Sequence, residues 1–324
     1  MIHYSWRKRL RTFLYIILAL MLVLVGGAWY LIDYALMPGN RSRQEAQAWE
    51  EIDSLYPGMI NWRDSLVQTN TLRDTMLTAS DGCRLHAYYA RASRPTAATA
   101  LLVHGYTDCA VRIMPLGRMY FQKLNMNILL PDLRNAGKSG GDHFQMGWLD
   151  REDVKLWAKT IPTLFGDSAR TVVHGVSMGA ATTMMLSGDS DVPHYVLAYI
   201  EDCGYTSVYD QFSKELSERF YIPRWPIMPI ASTLCHWRYG WDFREASSLN
   251  QVKLCHKPMF FIHGTADKFV PTSMVYPLYQ AKPSPKSIWL ATGAEHARSY
   301  HKYPQIYTDK VRRFLKKYGI LMKN

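Results

Sequence analysis

RTVVHGVSMGAATT, residues 170–183, decides the fold. Its first half is a short apolar run with three β-branched residues, as a buried strand requires. Its second half is small and helix-compatible, and between them stands Gly175-Val176-Ser177-Met178-Gly179. A serine at a sharp strand-to-helix turn has its hydroxyl presented at the end of a sheet, the arrangement of a nucleophile elbow. Two glycines flank it because side chains there would collide with the neighbouring strand and helix. Ala180 and Ala181 relieve the same crowding.

Working outward, ATALLVHG, MNILLPD, YVLAYIED, PMFFIHG and SIWLATG repeat the texture of the first half, with helix-like stretches between them. Continuous apolar runs suit strands covered on both faces, and the alternation with helices predicts a three-layer α/β domain. Upstream, LRDTMLTAS and RLHAYYAR alternate apolar and polar residues across Asp81-Gly82 and read as a hairpin. About fifty residues separate the strand ending near Asp202 from the one starting near Pro258. They include RFYIPRWPIMPIASTLCHWRYGWDF. This insertion, about 205–250, is either a cap or lid walling an acyl pocket, or a set of ordinary helices on the sheet.

A serine hydroxyl is a weak nucleophile and needs a general base. His296 in GAEHARSY lies just after the last expected strand, on the sheet edge that Ser177 faces. His301 falls inside the following helical stretch, and His174 points into strand packing, so His296 is favoured. An acid must orient that base. Asp267 stands at the tip of the turn in HGTADKFVP, with Asp202 in YIEDCGYTS as its rival. A tetrahedral intermediate needs amide donors. These are the N–H of Met178, directly after the serine, and that of Tyr106 in the LVHGYTD loop, whose His104 orders the loop.

Composition limits the other readings. The net charge is +11, and much of it sits in Arg7, Lys8, Arg9 and Arg11 and in Lys310, Arg312, Arg313, Lys316 and Lys317. No basic stripe interleaved with aromatics runs through the domain, which argues against nucleic acid. Five cysteines at irregular spacing make no disulfide framework, and Cys235-His236 and Cys255-His256 lack a metal-binding spacing. We expect neither metal nor organic cofactor. From Thr12 to Ile32 no residue is charged, a run of about 30 Å as a helix, enough for a bilayer core. The basic residues before it and Trp29-Tyr30 near its far end predict a single-pass anchor with the domain outside the cytoplasm. Gly26-Gly27-Ala28 offers a signal-peptide cleavage site, but the apolar run continues past it, which favours an uncleaved signal anchor. The expected organisation is a basic stub and transmembrane anchor (1–33), a membrane-proximal linker of two short helices (34–70), and a catalytic domain (71–324).

The motifs LVHGYTD, PDLRNAGKSGGD, MGWLDREDV, VVHGVSMGAATT, HGTADKFVP and GAEHARSY resemble those of the α/β-hydrolase superfamily over residues 70–318. The resemblance is closest to bacterial membrane-anchored serine hydrolases allied to the fermentation-switch esterases. It implies a mostly parallel eight-stranded sheet flanked by helices and a Ser177–His296–Asp267 triad. It also implies cleavage of an acyl ester through an acyl-enzyme, and the membrane tether suggests a small-molecule or lipid-like ester as substrate. Peptidase or thioesterase activity on the same triad is the alternative, and a non-catalytic membrane scaffold a further one. Where many such relatives carry Arg-Gly-His-Gly, this chain has Arg134-Asn135-Ala136-Gly137. Oligomeric state has no signal in the sequence.

Overall fold

The computed structural model describes residues 2–37 and 45–322. The chain opens with α1 (Ile2–Leu36), long and apolar enough to cross a membrane. Two helices follow, α2 (Glu45–Leu55) and α3 (Met59–Gln68). Residues 38–44 of the expected linker lie outside the described residues.

The strands are β1 (Leu72–Thr78), β2 (Arg84–Ala90), β3 (Ala98–Val103), β4 (Asn127–Pro131), β5 (Arg170–Val176), β6 (Val196–Asp202), β7 (Met259–Gly264) and β8 (Lys286–Ala291). They form one sheet in the order β1-β2-β4-β3-β5-β6-β7-β8. Only β2 runs antiparallel to its neighbours, and β3 onward are parallel. This is the α/β-hydrolase fold, as the resemblance implies. The interleaved helices are α4 (Met114–Arg118), α5 (Asp150–Phe165), α6 (Met178–Ser187), α7 (Val208–Phe220), α8 (Arg224–Tyr239), α9 (Ser248–Val252), α10 (Val275–Ala281), α11 (Ser299–Lys302) and α12 (Pro304–Lys317).

Successive strand residues point to opposite faces, so the apolar runs build two cores. Leu101, Val103, Val173 and Phe261 face one, with Trp157 of α5 and Met184 of α6. Ala100, Leu102, Val172 and Ile262 face the other, with Trp49 of α2, Trp62 of α3 and Phe314 of α12. Helices α2 and α3 are therefore packed on the domain.

The insertion becomes α7 and α8. Helix α8 packs against α1 more extensively than does any other element among the described residues. The last carbonyls of a helix have no partner inside it. In α1 the domain supplies them: the Tyr106 hydroxyl donates to the Ala35 carbonyl at 2.6 Å, and the Phe144 amide donates to that of Leu36 at 2.8 Å. Arg238 of α8 pairs with Asp33 at 2.5 Å.

Candidate active site

Strand β5 runs straight into Ser177, which closes the turn with φ 59° and ψ −119°, and α6 begins at the next residue. Few side chains adopt this conformation, and it is held by packing on both sides. The Ser177 amide donates to the Asp202 carbonyl at 2.8 Å, and the Ala181 amide returns to the Ser177 carbonyl at 3.0 Å. At Gly175 a Cβ would lie 1.9 Å from the Gly179 carbonyl oxygen, which leaves glycine as the residue that fits.

The loops after β7 and β8 bring the other two residues to this serine. His296 Nε2 lies 2.8 Å from Ser177 Oγ, and His296 Nδ1 lies 2.7 Å from Asp267 Oδ2. With the proton on Nδ1, the imidazole donates to the carboxylate and accepts from the hydroxyl. The other Asp267 oxygen accepts the amides of Phe269 and Val270, both at 2.9 Å, which fixes the plane of the carboxylate. Burial works to raise Asp267, but hydrogen bonds from His263 and His296 outweigh it and hold it at about 2. The Phe269 ring covers His296, with centroids 4.9 Å apart.

Asp202 does not contact His296 Nδ1. It accepts from the Tyr307 hydroxyl at 3.1 Å and the Ser299 hydroxyl at 3.2 Å, and burial raises it to about 6. His174 is enclosed between the hydroxyls of Tyr120 and Tyr307, and burial lowers it to about 3. His301 lies against the Tyr56 ring.

Met178 is the first residue of α6, and the first amides of a helix have no acceptor inside it. Tyr106 follows Gly105, where a Cβ would lie 3.4 Å from the Ser177 Cβ, so this loop lies directly against the serine. The loop is braced. His104 Nδ1 bonds the Gly105 carbonyl at 2.8 Å, and His104 Nε2 accepts the Leu133 amide at 2.9 Å. Asp132 accepts the amides of Ala110 and Lys138 at 2.7 and 2.9 Å, which couples it to the loop after β4. In that loop Arg134 pairs with Asp81 and Asp153.

Ser177 and His296 open onto a cavity of about 590 Å³. Several of its wall residues were not singled out from the sequence. Leu31, Ile32, Tyr34 and Ala35 come from α1; Ile52 and Tyr56 from around α2; Leu216, Phe220, Ile227 and Met228 from the insertion. The polar rim carries Arg112, paired with Glu51, and Arg219, which donates to the Tyr34 hydroxyl at 3.1 Å. His263, behind Asp267, also escaped sequence reasoning; its Nε2 donates to the Val270 carbonyl at 2.9 Å. Its sole signal was the neighbouring glycine in HGTAD.

Beneath the site, burial raises Glu201 to about 8. Its folded value exceeds the ordinary 4.5, so the folded state holds this proton more tightly than the unfolded chain does. That stability is complete below about pH 4.5 and is lost as pH rises through about 8. We therefore expect Glu201→Gln to raise the Tm relative to wild type at pH 9 by several degrees, at roughly 2–4 °C per kcal/mol. At pH 4.5 the two proteins should melt together. Thermal unfolding followed by circular dichroism at the two pH values checks this, and an equal shift at both would refute it.

No family model matches the chain. It is 31% identical over 229 residues to the uncharacterized protein YqkD of Bacillus subtilis (strain 168), covering 70% of this chain and 74% of that one. Among solved structures it is similar to the Pyrococcus furiosus esterase Pf2001. The TM-score is 0.61 at 22% identity, over 76% of this chain and 92% of that one. It is also similar to a puromycin-hydrolyzing peptidase of Mycobacterium tuberculosis. There the TM-score is 0.62 at 18% identity, over 76% of this chain and 39% of that one.

Proposed function

Because this chain belongs to the α/β-hydrolase superfamily, in one family with YqkD, we propose that it is a serine hydrolase cleaving carboxylic acyl esters. The observation that carries this reading is the unbroken relay Ser177–His296–Asp267, bonded at 2.8 and 2.7 Å on a cavity. His296 takes the Ser177 proton as Oγ attacks the acyl carbon. The Met178 and Tyr106 amides stabilise the oxyanion. His296 then gives that proton to the leaving alcohol, and the acyl group stays on Oγ. In the second half, His296 draws a proton from water, whose oxygen attacks the acyl-enzyme. The acid departs and Ser177 recovers its proton. Asp267 keeps the imidazole in the tautomer that accepts from serine. These steps use only side chains, amides and water.

Ester rather than amide cleavage is favoured by the apolar cavity wall, which suits an acyl chain and offers little to a peptide backbone. The anchor reading stands beside this. We read α1 as an uncleaved anchor with the domain outside the cytoplasm, a reading supported by Arg7, Lys8, Arg9 and Arg11 on its N-terminal side.

The test is labelling of the full chain in detergent with a fluorophosphonate probe, wild type beside Ser177→Ala, with a nitrophenyl-ester series of increasing acyl length on the same samples. We expect labelling and turnover in wild type and neither in the variant. A folded wild type that takes no label and turns over no ester would overturn the reading.

A further inference from the structure

We propose that the cap helix α8 is immersed in the outer half of the bilayer beside α1, and that the substrate is a long-chain acyl ester of a membrane lipid drawn directly from that leaflet into the cavity. The substrate class rests on the ester-hydrolase reading above; the immersion does not.

The argument begins with length. A hydrocarbon core is about 30 Å thick. The side chains of α1 from Trp6 to Val23 are all exposed. The apolar part of that exposed run, counted from Thr12 to Val23, spans only about 18 Å. The remaining uncharged length, Leu24 to Ile32, adds about 13 Å and completes the crossing. Yet this part is docked on protein. Ala28 and Ile32 are buried, and Leu24 and Leu31 pack on the same core. Trp29 lies 6.2 Å from Trp237 of α8. If α1 spans the bilayer, whatever is packed on Leu24–Ile32 lies at membrane depth with it.

The surface of that partner suits lipid. Helix α8 contains no acidic residue. Trp225 and Trp237 are each 75% exposed, and Tyr221, just before α8, is 88% exposed. Large exposed aromatics are costly in water and favoured at the headgroup boundary. Tyr30 of α1 is exposed as well. The first charges above the run, Asp33 and Arg238, are paired with each other, and Arg238 also lies over the Trp29 ring at 4.7 Å. This is how a cation is held at a membrane interface.

The cavity connects this surface to the chemistry. Leu31 and Ile32 of α1 and Ile227 and Met228 of α8 line it together with Ser177. An acyl chain that leaves the leaflet between these helices meets apolar side chains up to the serine, with no aqueous step. Cleavage breaks the acyl C–O bond; the acid takes the hydroxyl of water and the released lipid alcohol takes its proton.

The experiment uses the full chain reconstituted in phosphatidylcholine/phosphatidylglycerol vesicles. In the first arm the vesicles contain a fluorogenic long-chain diacyl lipid, and nitrophenyl acetate serves as the soluble substrate. Trp225→Glu/Trp237→Glu should lower turnover of the bilayer lipid by at least about tenfold, equivalent to 1.4 kcal/mol or more, while acetate turnover stays within about twofold. In the second arm, brominated phosphatidylcholines quench tryptophan fluorescence, and Trp225→Phe/Trp237→Phe should remove a distinct part of the quenched signal. Turnover of acetate by wild type with none of the bilayer lipid overturns the lipid substrate, and equal loss on both substrates, or no loss on either, overturns delivery past α8. Quenching identical in wild type and the phenylalanine variant overturns the immersion. If wild type turns over neither substrate, the hydrolase reading fails, and the quenching arm still decides where α8 lies.

Discussion

Ser177→Ala and His296→Ala should each lower kcat for a nitrophenyl ester by about 10⁵–10⁶, and the double variant should fall no further. The reason lies in the relay. In the proposed mechanism the proton of Ser177 Oγ goes to His296 Nε2, which lies 2.8 Å away. Without the base, the hydroxyl is as inert as no hydroxyl, so removing both is no worse than removing one. What survives in each case is the contribution of the cavity and the amides. Asp267→Asn should cost less, about 10⁴, because it leaves serine and imidazole in place and favours the wrong tautomer. KM should change little in all of these, since none of the three groups holds the ground-state substrate. Asp267 is held at about 2, so it stays ionised wherever the protein is assayed. Steady-state kinetics of the wild type and the four variants decide the matter. A double variant that multiplies the two single losses would show that serine and histidine act separately, and the proposed mechanism would be wrong.

That the sequence singles out three residues which the structure brings together has a local cause. Each sits at the C-terminal end of a strand or in the loop that follows it, and short apolar runs bounded by glycine mark those ends. Order along the chain then brings them to one sheet edge, because parallel strands all terminate there. The six later strands were legible as continuous apolar runs, and the first two as alternating runs across Asp81-Gly82. The cavity wall was not. Tyr106 meets Ala35, Arg238 meets Asp33 and Arg219 meets Tyr34 across separations of 71, 205 and 185 residues. No periodicity within α1 or α8 announces such a meeting. Uniform apolarity from Thr12 to Ile32 reads as a membrane span whether or not one end is docked, so the sequence could not divide α1 into a lipid-exposed part and a part built into the site. The insertion at about 205–250 was equally ambiguous, since aromatic and proline-rich helices look alike whether they cover a sheet or an anchor.

Gly179→Ala should destabilise the domain by about 4 kcal/mol or more, enough to lower the Tm by roughly 8–16 °C or to prevent folding at 37 °C. The added Cβ would lie 2.1 Å from the Val103 carbonyl oxygen and 2.5 Å from that of His104. Both are backbone atoms of β3 and the loop that leaves it, so neither can turn aside as a side chain would. Relief requires α6 to back away from the sheet, and α6 is buried along its whole length. The same movement would carry the Met178 amide away from the Tyr106 loop, so any protein that does fold should also be a poor catalyst. Gly105→Ala is the control. Its Cβ would meet nothing closer than 3.4 Å, an ordinary contact, and it should cost less than about 1 kcal/mol. Thermal melts of the two variants separate close backbone approach from a general intolerance of this region to side chains. Equal destabilisation by both would mean that the crowding at Gly179 is not what holds the elbow closed.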